Sequence, residues 1–519
     1  MAEKLTKFDR GRVQWSVPTA GTLRGAPIQS LPENSLHDSL NVRLRESIVE
    51  PRPGMTEFVP TILTGRPTGG FSVATLATGV FQEDTFQNDA FQIDDNTPLT
   101  ALIVGTTQHL YVYYQNAWNV VTGTPDLIAQ PHQLARFTSI LLGTPPVLYV
   151  IHVNGVDTPR QWQASQNFIP LSGDTPPLFS DITTISNRLI GIVPPYSVRW
   201  YEALSLTSCP AANERILADT PDGVVAIANF GLTSGAVYKQ QSIWNITVTG
   251  SGESSSYFRL DPKKNVAGPA SAAALVNAPG AHYYMTNNGR IGYWDGYQHA
   301  WVADGIWPLL KTNLDTLFTN RIHGSYKPND EEIWFWYPRI GDAGECKGVA
   351  IVKLPNPEEG LSRPIAFHGL MAHPISASID TRLIDNKVMV FTSSTRKGYT
   401  LEGTNDAGTD FSGFFQGGLV ATPNGIPTRL NTIESFLERG LNYGAITIKP
   451  VYSNLLDNPS GLLGPGVTVN LSTRAEPFDL TKHDIRGRFL GVRHEFTTPV
   501  TLRWKGTVLH IPTEQQPVK

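Results

Sequence analysis

The chain has 519 residues, 40% of them apolar and 17% charged, with 41 Lys and Arg against 45 Asp and Glu and a formal net charge of −4. That length asks for more than one core or for a large repeat array, and the composition is too apolar for a disordered chain. The near balance of charge also removes the cationic excess that tight phosphate binding requires.

The 22 Phe, 17 Tyr and 11 Trp, together with 46 Gly and 39 Pro, predict many short strands joined by tight turns, with little helix. Cys209 and Cys346 are the only cysteines, so two reduced thiols are expected, with no disulfide framework and no metal-ligand spacing. The opening MAEKLTKFDRGRVQW has basic residues but no apolar stretch behind them. Neither a secretory signal nor a membrane-spanning segment is expected.

In chain order, residues 1–60 read as an extended N-terminal arm, punctuated by Pro18, Pro27, Pro32, Pro51, Pro53 and Pro60. Within it, residues 40–44 and 48–50 alternate as two short strands. From about residue 99 the pattern becomes strand, turn, aromatic strand, turn and strand, and it recurs through 137–171, 182–204, 224–250, 272–302, 321–354 and 382–403. A hairpin period of about 40–50 residues is that of propeller blades, so residues 61–425 are expected to form a β-propeller of about six to eight blades. Trp200, Trp244 and Trp294 should be buried between blades. Residues 426–519, with candidate strands at 432–436, 445–452, 466–471, 487–493 and 500–511, predict a C-terminal β-sandwich in which Phe489 and Leu490 lie on one strand and Trp504 on its partner. The fold class is thus all-β.

The strong short motifs of nucleotide, zinc, calcium and acyl-transfer chemistry do not occur in the sequence. A propeller glycosidase would need two carboxylates flanking the sugar bond. The candidates, Asp94 with Asp95, Asp330 with Glu331 and Glu332, and Glu358 with Glu359, sit beside Pro, Asn or Gly and read as solvated loop tips. His323, His368, His373, His483 and His494 lack ligand spacing and read as satisfied histidines. Thr286 to Arg290, with Asn288 and Gly289, reads as a type I′ hairpin turn. The N-terminal Lys4, Lys7, Arg10, Arg12 and Arg24 read as a partner-bound or solvated arm. The aromatic runs Tyr111 to Tyr114 and Trp334 to Tyr337 read as core packing rather than base or sugar stacking.

Several segments resemble one family in order along the chain. SLNVRLRESIVEPRPG, residues 39–54, resembles the N-terminal signature of tail nozzle, hub and stabilisation proteins of short-tailed bacteriophages, with Asn41 before a strand and Arg52, Pro53 and Gly54 after it. SNRLIGIVPPYSVRWYEA, with Arg199 and Trp200, SGAVYKQQSIWNITVTG, and MTNNGRIGYWDG, with Asn288 and Gly289, are similar to successive blades of that family, and GRFLGVRHEFTTPVTLRWKGTVLHI, with Gly487, Arg488 and Arg493, to its closing strands. Tyr201 stands where the family usually has Ser. The resemblance implies a structural virion protein: a ring, expected to be a hexamer, below the portal and adaptor proteins, which conducts and retains genomic DNA. It implies contacts with portal, adaptor and tail fibres, DNA passing without sequence-specific contact, assembly in the host cytoplasm, and neither catalytic residues nor a cofactor. The alternatives are a propeller hydrolase acting on a polysaccharide and another virion component serving head completion, receptor binding or fibre anchoring.

Overall fold

The structure is a computed structural model that describes residues 12–24, 26, 31–32, 34–74, 100–114, 116–144, 146–163, 167–381, 386–422, 427–430, 432–438, 443–454, 461–471, 478–479 and 485–511. Five consecutive sheets each hold four antiparallel strands in sequence order: blade 1 within 67–120, blade 2 within 136–170, blade 3 within 181–216, blade 4 within 224–264 and blade 5 within 275–302. The next sheet has seven strands because one long strand, Ile365–Asp380, serves two blades. Residues 365–370 pair with Cys346–Lys353 as the outer strand of blade 6, and residues 375–380 pair with Val388–Thr392 as the inner strand of blade 7.

Blade 7 is completed from the other end of the sequence. Its fourth strand is Gly54–Val59, antiparallel to Gly398–Gly403. The inner strand of blade 7 packs beside that of blade 1, so the ring closes as a seven-bladed propeller latched by an N-terminal strand. Closure leaves the inner sheet faces covered by neighbours on both sides, and the side-chain alternation follows. In Glu332–Tyr337, Trp334 and Trp336 pack toward blade 7, whereas Ile333, Phe335 and Tyr337 pack toward blade 5. Trp200, Trp244 and Trp294 are 1%, 3% and 2% exposed and lie between blades, as their sequence context predicts.

The second unit is a sandwich of two sheets. One contains Val42–Arg45, Ile48–Pro51, Trp504–His510, Thr432–Leu437 and Phe478–Asp479, with Arg12–Ser16 also paired to Trp504–His510. The other contains Leu36–Leu40, Ser412–Gly417, Phe489–Thr497, Ala445–Ser453 and Leu462–Leu463, with two short flanking strands. Trp15, Val42, Phe415, Ile448, Phe496 and Trp504 share its core.

Three sequence expectations change here. The segment read as an extended arm supplies strands to both units wherever it is described: 12–51 builds the sandwich and 54–59 latches the propeller. Pro51, Pro53 and Pro60 fall at or next to strand ends, where a missing N–H breaks no ladder bond. The expected domain limits shift with it, since the sandwich strands resume at Ser412 rather than after 425. The final two long strands are not hydrogen-bonded partners: Phe489–Thr497 and Trp504–His510 lie in opposite sheets, and Phe415 and His494 of one face Trp504 of the other at 5.1 and 5.9 Å between ring centroids. Leu490 joins the main core, whereas Phe489 packs with Leu419 and Val451.

Candidate functional site

The residues that carry the resemblance converge most densely at the joint between the two units. Asn41 takes a left-handed backbone (φ 57°), which Asn tolerates better than most residues. Its Oδ1 accepts from Arg52 Nε at 3.0 Å and from the Leu370 amide at 2.7 Å, while its Nδ2 donates to the Ser412 carbonyl at 2.7 Å. Arg52 is 1% exposed. Its guanidinium forks onto Asp406 at 2.9 and 2.7 Å, donates to the Pro53 carbonyl at 3.0 Å and to the Leu370 carbonyl, and lies 4.0 Å from the Phe411 ring centroid. Asp406 is fully buried and also accepts from the Ala372 amide at 2.8 Å. Every polar group of this hub therefore has a partner from a different segment, the condition under which a buried ion pair is tolerable. Gly54 is required by close approach: a Cβ there would lie 2.0 Å from the Asn405 carbonyl oxygen.

The other signature residues are placed singly. In blade 3, Arg199 donates to the Cys209 carbonyl and Trp200 Nε1 donates to the Ser254 carbonyl at 2.9 Å. Arg188 reaches the Ser254 hydroxyl at 2.9 Å, so blade 3 clamps a loop of blade 4. Thr286 to Arg290 turns differently from the type I′ expectation: only Gly289 has positive φ, and its amide donates to the Thr286 carbonyl at 3.0 Å. This is a three-residue connection with the glycine in the left-handed position, and Asn288 Oδ1 accepts from Thr286 Oγ1 at 2.7 Å. Gly487 is buried against Tyr452, Arg488 is exposed at the start of Phe489–Thr497, and Arg493 lies over Phe414 with 3.6 Å to the ring centroid.

The carboxylates at 330–332 are not solvated as their loop context suggests. Asp330 and Glu332 are 5% and 0% exposed. Arg43, a sandwich residue, contacts both at 2.7 and 3.4 Å, and Lys327 lies 2.6 Å from Asp330. Burial opposes the charge on Asp330, yet Arg43 and Lys327 outweigh it and hold the carboxyl below its usual range. Burial dominates at Glu332 and raises its pKa. Glu331 alone faces solvent, and Glu359 pairs with Lys353 at 3.1 Å. Replacing Glu331 with Gln should change unfolding free energy by less than about 0.5 kcal/mol. Replacing Glu332 should cost about 3 kcal/mol, because it unbalances a buried ion cluster; urea titration of both variants checks the contrast. Asp94, Asp95, His483, Lys4, Lys7 and Arg10 lie outside the described residues. Arg24 pairs with Asp38 at 2.6 Å.

His323, His368 and His494 are buried in aromatic surroundings: His323 stacks on Trp336, His368 Nε2 meets the Tyr337 hydroxyl at 2.7 Å, and His494 stacks on Phe415. Among the described residues no three His, Cys, Asp or Glu could hold a metal ion. Burial lowers the pKa of His152, His368 and His494 to about 3 and of His282 and His323 to about 4. Because the folded values lie below the unfolded value near 6.5, their contribution is complete above that pH and is lost as pH falls toward the folded values. At pH 5 each costs about 2 kcal/mol, or about 10 kcal/mol for the five. Acidification below about pH 6.5 should therefore lower the unfolding free energy steeply, which urea titrations at pH 7 and pH 5 followed by fluorescence read directly.

Around the propeller axis, inner strands are tied to one another. Asp181 accepts from Arg136 of blade 2 at 2.8 Å and from the Ile227 amide of blade 4 at 2.9 Å, and Ser325 of blade 6 donates to Ser378 of blade 7 at 2.7 Å. The cavity they leave, lined by Gly70, Ala135, Asn277, Ser325 and Ser378 among others, measures about 140 Å³. Sequence reasoning missed Asp406, Arg43 and Asp181, whose roles rest on partners far away in the chain.

The assembly is thus a seven-bladed β-propeller tied by a buried ionic hub to a β-sandwich built from both chain ends. No protein-family model and no curated protein matches the sequence. Solved structures similar in part include the computationally designed Ika8 protein (11% identity over 67% of this chain and 99% of that chain, TM-score 0.35). They also include the C-terminal WD40 domain of Sif2 (10% identity, 58% and 77% covered, TM-score 0.35) and BBS1N in complex with ARL6DN (8% identity, 69% and 99% covered, TM-score 0.39). The architecture described above rests on the strand pairings and not on these likenesses.

Proposed function

We propose that this protein is a structural, non-enzymatic subunit of a tailed-phage tail, forming a nozzle or hub ring that conducts and retains genomic DNA. The observation that carries the reading is that Asn41, Arg52 and Gly54, the residues of the N-terminal phage-tail resemblance, form the hub on which propeller and sandwich are joined. A rigid two-unit subunit suits a part that must transmit load around a ring. In support of it, three of the candidate carboxylates, Asp330, Glu332 and Glu359, are engaged by Arg43, Lys327 and Lys353.

On this reading the DNA path runs between copies. A cavity of about 140 Å³ holds a few water molecules, whereas the major groove of a duplex is by itself about 12 Å wide. Portal and adaptor proteins above and tail fibres beside the ring are the proposed partners. Negative-stain images of the purified protein and of virions should show closed rings, expected to be sixfold, at the tail. Dispersed single particles in both preparations would overturn the reading.

A further inference from the structure

Between the first two strands of blade 1, Phe-Gln-x-Asp occurs three times at a spacing of five: Phe81-Gln82-Glu83-Asp84, Phe86-Gln87-Asn88-Asp89 and Phe91-Gln92-Ile93-Asp94. Residues 75–99, which contain the repeats, lie outside the described residues and carry five Asp and Glu with no Lys or Arg. A repeated aromatic and acidic unit is matched by an acceptor with an apolar floor and a cation at its rim.

The sandwich has such an acceptor. On the face of Phe489–Thr497 turned away from the core, a groove of about 400 Å³ is lined by Leu40, Phe414, Ala445, Thr447, Arg493 and Glu495 among others, within the usual size of ligand pockets. Arg493 Nε and Lys449 Nζ both contact Glu495, at 2.9 and 2.6 Å, and Asp38, which also lies within the field of Arg493, is paired with Arg24 at 2.6 Å, so three cations face two carboxylates there. Residues 426–519 as a whole hold eleven Lys and Arg against eight Asp and Glu.

We propose that the groove around Arg493 binds a Phe-Gln-x-Asp repeat from residues 75–99 of a neighbouring copy, with the Phe ring against Phe414 and the carboxylate toward Arg493. The groove assignment stands on this chain's own residues; only the choice of a neighbouring copy as donor rests on the ring reading. Each subunit then offers one segment and one groove, the head-to-tail arrangement that closes a ring. Three repeats raise the local concentration of the motif at a single groove.

The test uses two full-chain variants, one with residues 75–99 replaced by Asn-Gly and one carrying Arg493→Glu, both checked for folding by circular dichroism. Each alone should sediment as a monomer, and mixed they should form a one-to-one dimer, since only one intact segment and one intact groove can meet. A peptide of residues 79–97 should bind the first variant, and at least tenfold more weakly after Phe81, Phe86 and Phe91 are changed to Ala. Thr447→Trp, which fills the groove without altering charge, should weaken peptide binding to a similar degree. Absence of peptide binding, or binding indifferent to Arg493→Glu and Thr447→Trp, overturns the groove assignment. Peptide binding without dimer formation on mixing overturns the contact between copies. Rings missing from images of the parent protein while the peptide still binds the groove would sink the ring reading and leave the groove assignment standing.

Discussion

Replacing Asp406 with Ala should lower the unfolding free energy by about 3–5 kcal/mol, the cost of leaving a buried charge without its partner. The substitution removes both acceptors of the Arg52 fork and strands the Ala372 amide as well. Asp406→Asn keeps the shape and one acceptor, and should fall between Ala and the parent. Arg52→Met together with Asp406→Leu should recover part of the loss, since an apolar pair needs no compensation in a buried site, although Asn41 Oδ1 then loses one donor. Because the hub joins the two units, the Ala variant should also separate their unfolding into two urea transitions. A single transition within 1 kcal/mol of the parent would mean that the hub does not hold the units together.

The second large effect concerns the N-terminus. Deleting residues 1–30 should unfold the sandwich rather than yield a well-folded monomer that merely fails to assemble. The deletion removes Arg12–Ser16, whose Val13 and Trp15 are 3% and 5% exposed in the sandwich core and whose backbone pairs with Trp504–His510. Loss of a buried Trp alone costs about 3–5 kcal/mol, and the ladder bonds add to it. Blade 7 keeps its latch, Gly54–Val59, so limited proteolysis should digest residues beyond about 411 first and leave the propeller. Deleting only residues 1–11 spares Arg12–Ser16 and is the control for its pairing with Trp504–His510. An assembly defect in that shorter deletion would then belong to the terminal residues themselves, and an intact sandwich in the longer one would refute the packing role of Trp15.

The corrections share one physical origin, which is that the sequence shows what a segment prefers and not what it meets. The short strands near residues 42 and 48 were legible from alternation. Their destination was not, because pairing with residues near 504 depends on contacts between chain ends. Asp330 and Glu332 looked solvated because Pro328 and Asn329 mark a turn, and a turn says nothing of the strand packed over it. Arg43 supplies that cover from 287 residues away. Asn41, Arg52 and Gly54 could be singled out from their resemblance to a family signature, but the partner that explains Arg52, Asp406, sits in an unremarkable Asn-Asp-Ala-Gly turn.

By itself the sequence determined the all-β class, the hairpin rhythm of the blades, the burial of Trp200, Trp244 and Trp294, and the strand content after residue 426. Each follows from local quantities: side-chain period, turn residues and aromatic content. Only the tertiary structure decided the count of seven blades, since Ile365–Asp380, which falls between the hairpin units 321–354 and 382–403, is one strand that belongs to two blades. It also decided the latch by Gly54–Val59, the sandwich shared between both ends of the chain, and the hub at Arg52 and Asp406. These depend on which faces are covered once the ring closes, a condition set by all the blades together.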